Sequence, residues 1–256
     1  VEVSLTGQTI GGMTFNWAGT GSTNNDTEGL TYLGGGSLVV GEERLQNLYS
    51  FNYVAGGSVN LGTAPFVSIG PTIGNVGIEG VSYDPRNGNF VTAKQDNPAE
   101  LRIFSSLSFS TVPGPDAVPT VLFTGASSLF GLASLSDVQT LAIVDALVGT
   151  AAANNLLVLS LDSRRLIEID RLGNVLSSFN LAGVLPRNGI EGVTVDEDGT
   201  IYLVAEQDQL AGAPANARSQ LIVLTPVPEP ATYSMMLVGV GMLGLVARRR
   251  HKAETR

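Results

Sequence analysis

The sequence predicts an all-β propeller, and three observations carry that expectation. A five-residue motif recurs as Glu28-Gly29-Leu30-Thr31-Tyr32, Glu79-Gly80-Val81-Ser82-Tyr83 and Glu191-Gly192-Val193-Thr194-Val195, with a degenerate copy at Asp137-Val138-Gln139. The successive spacings of 51, 58 and 54 residues fit one propeller blade per unit better than the shorter helical or leucine-rich repeats. Composition agrees: 31 glycines and 14% charged residues among 256 favour tightly turned strands, and 43% apolar residues supply a core.

Each unit reads as strand, turn, strand, strand. In the first, the motif strand runs into Leu33-Gly34-Gly35-Gly36 and then Ser37-Leu38-Val39-Val40. In the second, Asp84-Pro85-Arg86-Asn87-Gly88 precedes Asn89-Phe90-Val91. The third departs from the pattern, because Ser136-Asp137 replaces Glu-Gly and Asp145–Ala153 looks inserted. In the fourth, Asp196-Glu197-Asp198-Gly199 separates β-branched runs, a strong hairpin signal. Ile201–Ala205 is apolar on both faces, as a strand held between neighbouring sheets must be. A sandwich or barrel is the competing arrangement. Val1–Leu5 looks like the closing outer strand of a preceding unit, so a further unit of roughly fifty residues is expected before Val1.

Charge and residue usage exclude several kinds of chemistry. The formal charge is −9, and five of the 14 basic residues lie in the last nine positions, so the body is more acidic still. Such a surface repels phosphate backbones and disfavours nucleic acid. The chain has no cysteine, and its single histidine, His251, lies in the basic tail. The body therefore has no thiol, no His-based triad and no His/Cys metal cluster.

The C-terminus carries its own signal. Pro228-Glu229-Pro230 is followed by the uncharged run Tyr233–Ala247 and then by Arg248, Arg249, Arg250, His251 and Lys252. As a helix, residues 233–247 span roughly 22 Å, short of a ~30 Å hydrocarbon core unless flanking residues or local thinning help. A basic cluster abutting such a run is the positive-inside signature. The arrangement resembles the PEP-CTERM sorting signal of bacterial exported proteins. The resemblance implies that an exosortase-type enzyme recognises Pro228, Glu229 and Pro230. It also implies that the upstream chain is exported to the cell envelope, either membrane-anchored through the helix or released to the surface or matrix. An export signal is accordingly expected ahead of Val1. The domain reading is a propeller over 1–226 and a sorting segment over 227–256.

The units EGLTYLGGGSLVVGEERLQNLYSF, GIEGVSYDPRNGNFVTAKQDNPAELRIF, NNLLVLSLDSRRLIEID and GIEGVTVDEDGTIYLVAEQ resemble successive blades of the SdiA-regulated β-propeller family. That resemblance spans about Asn25 to Thr225 and implies a bacterial envelope protein of about five blades with a connection to calcium.

The repeats also place carboxylates. A hairpin centred on Asp198-Gly199 pairs Glu191 with Glu206; one centred on Gly35-Gly36 pairs Glu28 with Glu43; one centred on Arg86-Asn87 pairs Glu79 with Lys94. If first strands line the channel, Glu28, Glu79 and Glu191 converge at one mouth, with Glu43, Asp162 and Glu206 close behind. Three readings stay open. The carboxylates hold a hard cation such as calcium, they staple blades through backbone amides, or two of them serve a metal-assisted hydrolase, for instance a phosphoesterase. With no His or Cys in the body, a binding or structural module is favoured over an enzyme. Asp196–Gly199 lacks the distal ligands of a calcium loop and reads as a turn. Arg164-Arg165 reads as a solvated strand end, and Trp17 as packing against an edge rather than stacking on a sugar.

Overall fold

The computed structural model describes residues 1–184, 188–206 and 219–225. The chain divides into Val1–Leu224 and Thr225–Arg256. The expected helix 233–247 and the sorting residues Pro228–Pro230 and Arg248–Arg250 lie outside the described residues. Among the described residues, no helix is long and apolar enough to cross a membrane.

The chain starts with three short strands, β1 (Glu2–Val3), β2 (Thr9–Gly11) and β3 (Thr14–Asn16). Blade I follows as β4 (Thr27–Gly34), β5 (Ser37–Glu42) and β6 (Asn47–Asn52); then comes β7 (Ser58–Asn60), which pairs in parallel with β3, and β8 (Phe66–Ser68) completes the blade. Blade II is β9 (Ile78–Asp84), β10 (Asn89–Lys94), β11 (Glu100–Ser105) and β12 (Thr120–Thr124), followed by the short helix α1 (Ala126–Phe130). Blade III is β13 (Asp137–Thr140), β14 (Leu156–Ser160), β15 (Arg165–Ile169) and β16 (Val175–Asn180). Blade IV is β17 (Ile190–Val195), β18 (Ile201–Ala205) and β19 (Gln220–Leu224). The protein is thus an all-β propeller with four blades among its described residues. Three 3-10 turns lie between β13 and β14: Leu141–Ile143 precedes the stretch that looked inserted, Asp145–Leu147 opens it and Ala151–Asn154 ends it.

One expectation for the N-terminus fails. Glu2–Val3 pairs with Thr9–Gly11 in a hairpin of its own and belongs to no blade. With only two ladder residues it is too short to close a four-stranded sheet.

The core lies in the seams between blades. Val39, Leu48, Ile78, Val81, Phe90 and Phe104 fill seam I–II. Val91, Ala93, Val138, Val158, Ile167 and Ile169 fill seam II–III, and Leu157, Leu159, Leu166, Val193, Val195 and Leu203 fill seam III–IV. This follows from the period of two along each strand, which sends successive residues to opposite faces and so to different seams. A fourth cluster, Val40, Tyr49, Phe51 and Leu61, lies on the other face of blade I under Met13, Phe15 and Trp17. Trp17 makes edge contacts with Phe15 and Tyr49, in keeping with a packing role.

The innermost strands β4, β9, β13 and β17 meet at a distance that the sequence sets. An added Cβ at Gly29 would stand 2.8 Å from Val81 N, and one at Gly80 would stand 2.7 Å from Val138 N. Glycine allows that approach because it has no Cβ. Each seam is then sealed by a side-chain oxygen on one inner strand that accepts an amide of the next. Tyr83 N–H donates to Thr31 Oγ1 (3.0 Å), Thr140 N–H to Ser82 Oγ (3.0 Å) and Val193 N–H to Asp137 Oδ2 (2.7 Å). These bonds align the blades: Asp137 stands at the glycine position of blade III, and Ser136 at its glutamate position.

Gly29→Ala should therefore destabilise the fold by about 1–3 kcal/mol, since backbone must move to admit the methyl group. Gly74→Ala, with nothing within 4 Å of its added Cβ, should leave stability unchanged; urea denaturation of both variants checks the contrast.

Candidate functional site

The motif glutamates sit in β-bulges. In blade I the β4–β5 register shifts between Thr27 and Leu30; in blade II Lys94 pairs with Ile78 while Ala93 pairs with Gly80; in blade IV the shift falls between Ile190 and Gly192. Glu28, Glu79 and Glu191 each sit inside such a shift. A bulge holds an extra residue off the ladder and re-aims its side chain. The pairings expected from the hairpin centres are corrected accordingly. Glu28 does not face Glu43, Glu191 does not face Glu206, and Glu79 does not face Lys94. Lys94 is buried, and its Nζ donates to the carbonyls of Asp96 and Pro98 (3.1 Å for the latter), so it neutralises none of the rim carboxylates.

The carboxylates act on one another electrostatically. Removal from bulk water, then the charges of Asp26, Glu191, Glu43 and Glu206, push the Glu28 carboxyl up to about 8. Burial, then Glu28, Glu43 and Glu191, push Glu79 up to about 9. Burial also raises Glu43; the Gly77 N–H bond to its Oε1 (3.0 Å) opposes that, and the adjoining Asp26 carboxyl reinforces it. Asp162 is exposed in the β14–β15 turn and is not among the charges that act most on Glu28 or Glu79.

The tightest grouping includes a residue that the repeats did not flag. Asp26, Glu28 and Glu43 each offer a carboxylate oxygen, and the three lie within 4.8 Å of one another. Asp26 sits two residues before the motif glutamate, and its only sequence signal is that adjacency. Its carboxylate also pairs with Arg44 Nε at 2.7 Å, and the Arg44 guanidinium bonds Asn75. Hard, clustered oxygens suit a hard cation.

Other candidates resolve into structure. Asp196 accepts Thr200 N–H (2.8 Å) and Tyr202 O–H (2.7 Å), so the acidic turn of blade IV is held by its own carboxylate. Arg164 is not a solvated strand end. Its guanidinium donates to the carbonyls of Asn188 (2.5 Å) and Val184 (2.8 Å), tying both to the start of β15. Asp137 is raised to about 8 by burial, against the pull of the Val193 and Val138 amides.

Strand sheets set around an axis, with glutamates in the bulges of three inner strands and a Pro-Glu-Pro segment later in the sequence, define an exported propeller. The SdiA-regulated family matches residues 1–209, and the chain belongs to that family. The PEP-CTERM protein-sorting motif matches residues 226–250, which implies export to the cell envelope and recognition by an exosortase-type processing enzyme. Among solved structures, the Cps50 (Swd1) β-propeller domain of Myceliophteria thermophila is similar at 15% identity, covering 78% of this chain and 58% of that one, with a TM-score of 0.40. Sqt1 of Chaetomium thermophilum, bound to the N-terminus of a ribosomal protein, is similar at 13% identity, covering 78% and 43%, with a TM-score of 0.41. The chain spans about half the length of these two.

Carboxyls whose folded pKa values lie above the ordinary range bind more protons folded than unfolded. Their contribution to stability is complete below about pH 4.5 and is lost as pH rises through the folded values near 8 and 9. Without divalent cations, the midpoint of thermal unfolding should therefore fall between pH 5 and 9. Glu79→Gln should flatten that fall, as differential scanning calorimetry across the range will read.

Proposed function

We propose that this protein is a cell-envelope binding module whose propeller, residues 1–226, holds calcium on one rim. Residues 227–256 act as the sorting segment, in which helix 233–247 anchors the chain until processing. The observation that carries the reading is the approach of Asp26, Glu28 and Glu43 within 4.8 Å, with Glu79 and Glu191 adding like charge. Ionised together without a counter-charge these groups repel; a divalent cation removes that cost. Arg44 supplies part of the compensation, through its pair with Asp26 and its charge on Glu43. Asp26, Glu28 and Glu43 are the first ligands, Glu79 adjoins Glu43, and Glu191 and Glu206 shape the field around them; Asp162 has no assigned part. We further propose that the ring has five sectors, the fifth lying between blades IV and I.

Calcium titration by calorimetry should show saturable binding with proton release, tightening from pH 6 to pH 9 as the carboxyls ionise. Glu43→Gln should weaken it about tenfold or more, while Glu168→Gln, remote from the rim, leaves it unchanged. Absence of binding at millimolar calcium and pH 8 contradicts the reading and leaves the carboxylates as blade staples.

A further inference from the structure

The inner strands carry their motif glutamates at one end, and a second feature stands at the other. A cavity of about 250 Å³ lies where β4, β9, β13 and β17 run out into their turns, and all four blades contribute to its wall. The contributions differ in kind. Blades I and II supply Tyr32 and Tyr83, the fifth residue of the motif in each. Blades III and IV supply Gln139 and Thr194 from the fourth position, and Glu197 joins them from the turn after β17. Leu33, Pro85 and Ile143 add apolar surface.

The hydrogen-bonding capacity of this wall is one-sided. Its only side-chain N–H donor is Gln139 Nε2, which is spent on the Thr140 carbonyl (2.9 Å). Gln139 Oε1 meets Thr194 Oγ1 at 3.4 Å and keeps acceptor capacity. The Tyr32 hydroxyl accepts Gly36 N–H (3.1 Å), which fixes a side chain whose residue is 60% exposed, and the Tyr83 ring is held against Phe90 with centroids 5.1 Å apart. Glu197 is exposed, and among the described residues its carboxylate has no hydrogen-bond or ion-pair partner. No Lys or Arg lines the cavity. Arg86, next to Pro85, is taken by both oxygens of Asp84 (3.0 and 2.7 Å) and by Asn154. Two more exposed acidic residues adjoin Glu197: Asp198 follows it in the chain, and Asp145 N–H donates to its carbonyl (2.9 Å).

We propose that this cavity binds an organic cation on an aliphatic stem, the guanidinium or primary ammonium that an arginine or lysine side chain presents. Such a head supplies the N–H donors that the wall lacks, meets the tyrosine rings as a cation meets a π face, and pairs with Glu197. The stem lies along Leu33, Pro85 and Ile143. A neutral sugar leaves Glu197 without a counter-charge, and an anion is repelled by the acidic surroundings. None of the carboxylates of the calcium reading takes part, so the two proposals stand or fall separately.

Isotope-labelled tyrosine rings, observed by NMR in the 256-residue chain, test the site. Tyr83 lines this cavity; Tyr53, bonded to Glu2 at 2.9 Å, does not. N-acetyl-arginine methylamide and n-butylguanidinium should each shift the Tyr83 ring saturably in the millimolar range and leave Tyr53 in place. N-acetyl-citrulline methylamide, of the same shape without the charge, and methyl glucoside should not. Tighter binding of the arginine derivative than of butylguanidinium assigns a polypeptide source, and parity assigns a free cation; both support the site. Glu197→Gln and Tyr32→Leu should each weaken binding at least about threefold, with the buried Tyr49 ring reporting an intact fold. Binding should also weaken as salt rises. Equal shifts by citrulline or glucoside overturn the assigned chemistry. A saturable shift at Tyr53 without one at Tyr83, full affinity in the Glu197→Gln variant, or no shift at all overturns the site.

Discussion

The structure depends on how closely one inner strand approaches the next. Gly29 against Val81 and Gly80 against Val138 bring backbones to a separation that a Cβ forbids. That closeness puts Thr31 and Ser82 within bonding distance of the amides of Tyr83 and Thr140. Inner strands are sheet edges, and an edge amide that finds no partner away from water costs on the order of 1–3 kcal/mol. The side-chain oxygens remove that cost and fix the angular step between blades. The apolar seams follow from the same step, because strands held at this spacing interdigitate the side chains that the period of two sends to each face.

The motif glutamates stand beside the same glycines. The ladder shifts next to the motif glycine in blades I, II and IV, at Thr27/Leu30, Ala93/Lys94 and Ile190/Gly192. The bulged residue is a glutamate in blades I, II and IV. Blade III makes the exchange that shows the logic. Ser136 takes the glutamate position, Asp137 takes the glycine position, and the displaced carboxylate becomes the acceptor that seals seam III–IV through Val193. A carboxylate is thus used either in the bulge or in the seam, and blade III commits its carboxylate to the seam.

Much of this was legible in the sequence. The fifty-residue period, the Glu-Gly motif, the hairpin turns, the irregular third unit and the sorting signal all rest on local pattern. The exact pairings of Glu28, Glu79 and Glu191 were not legible, because a hairpin centre fixes register only until the first bulge. Asp26 was missed since it belongs to the loop before the repeat, and only the fold brings it beside Glu43. Arg164 looked like a surface residue because its partners, the carbonyls of Val184 and Asn188, are backbone groups with no sequence signature. The N-terminal strand was read as the closing outer strand of a preceding unit, and in the fold it pairs instead with Thr9–Gly11.

The central claim is that an oxygen-to-amide lock seals each seam between the described blades. Amide hydrogen exchange of the 256-residue chain, resolved by residue, tests it most directly. The account predicts that the amides of Tyr83, Thr140 and Val193 exchange at least about a hundredfold more slowly than those of Leu30 and Tyr32. Equal protection of Leu30 and Tyr32, whose amides meet no such side-chain oxygen among the described residues, would show that the locks add nothing and would contradict it.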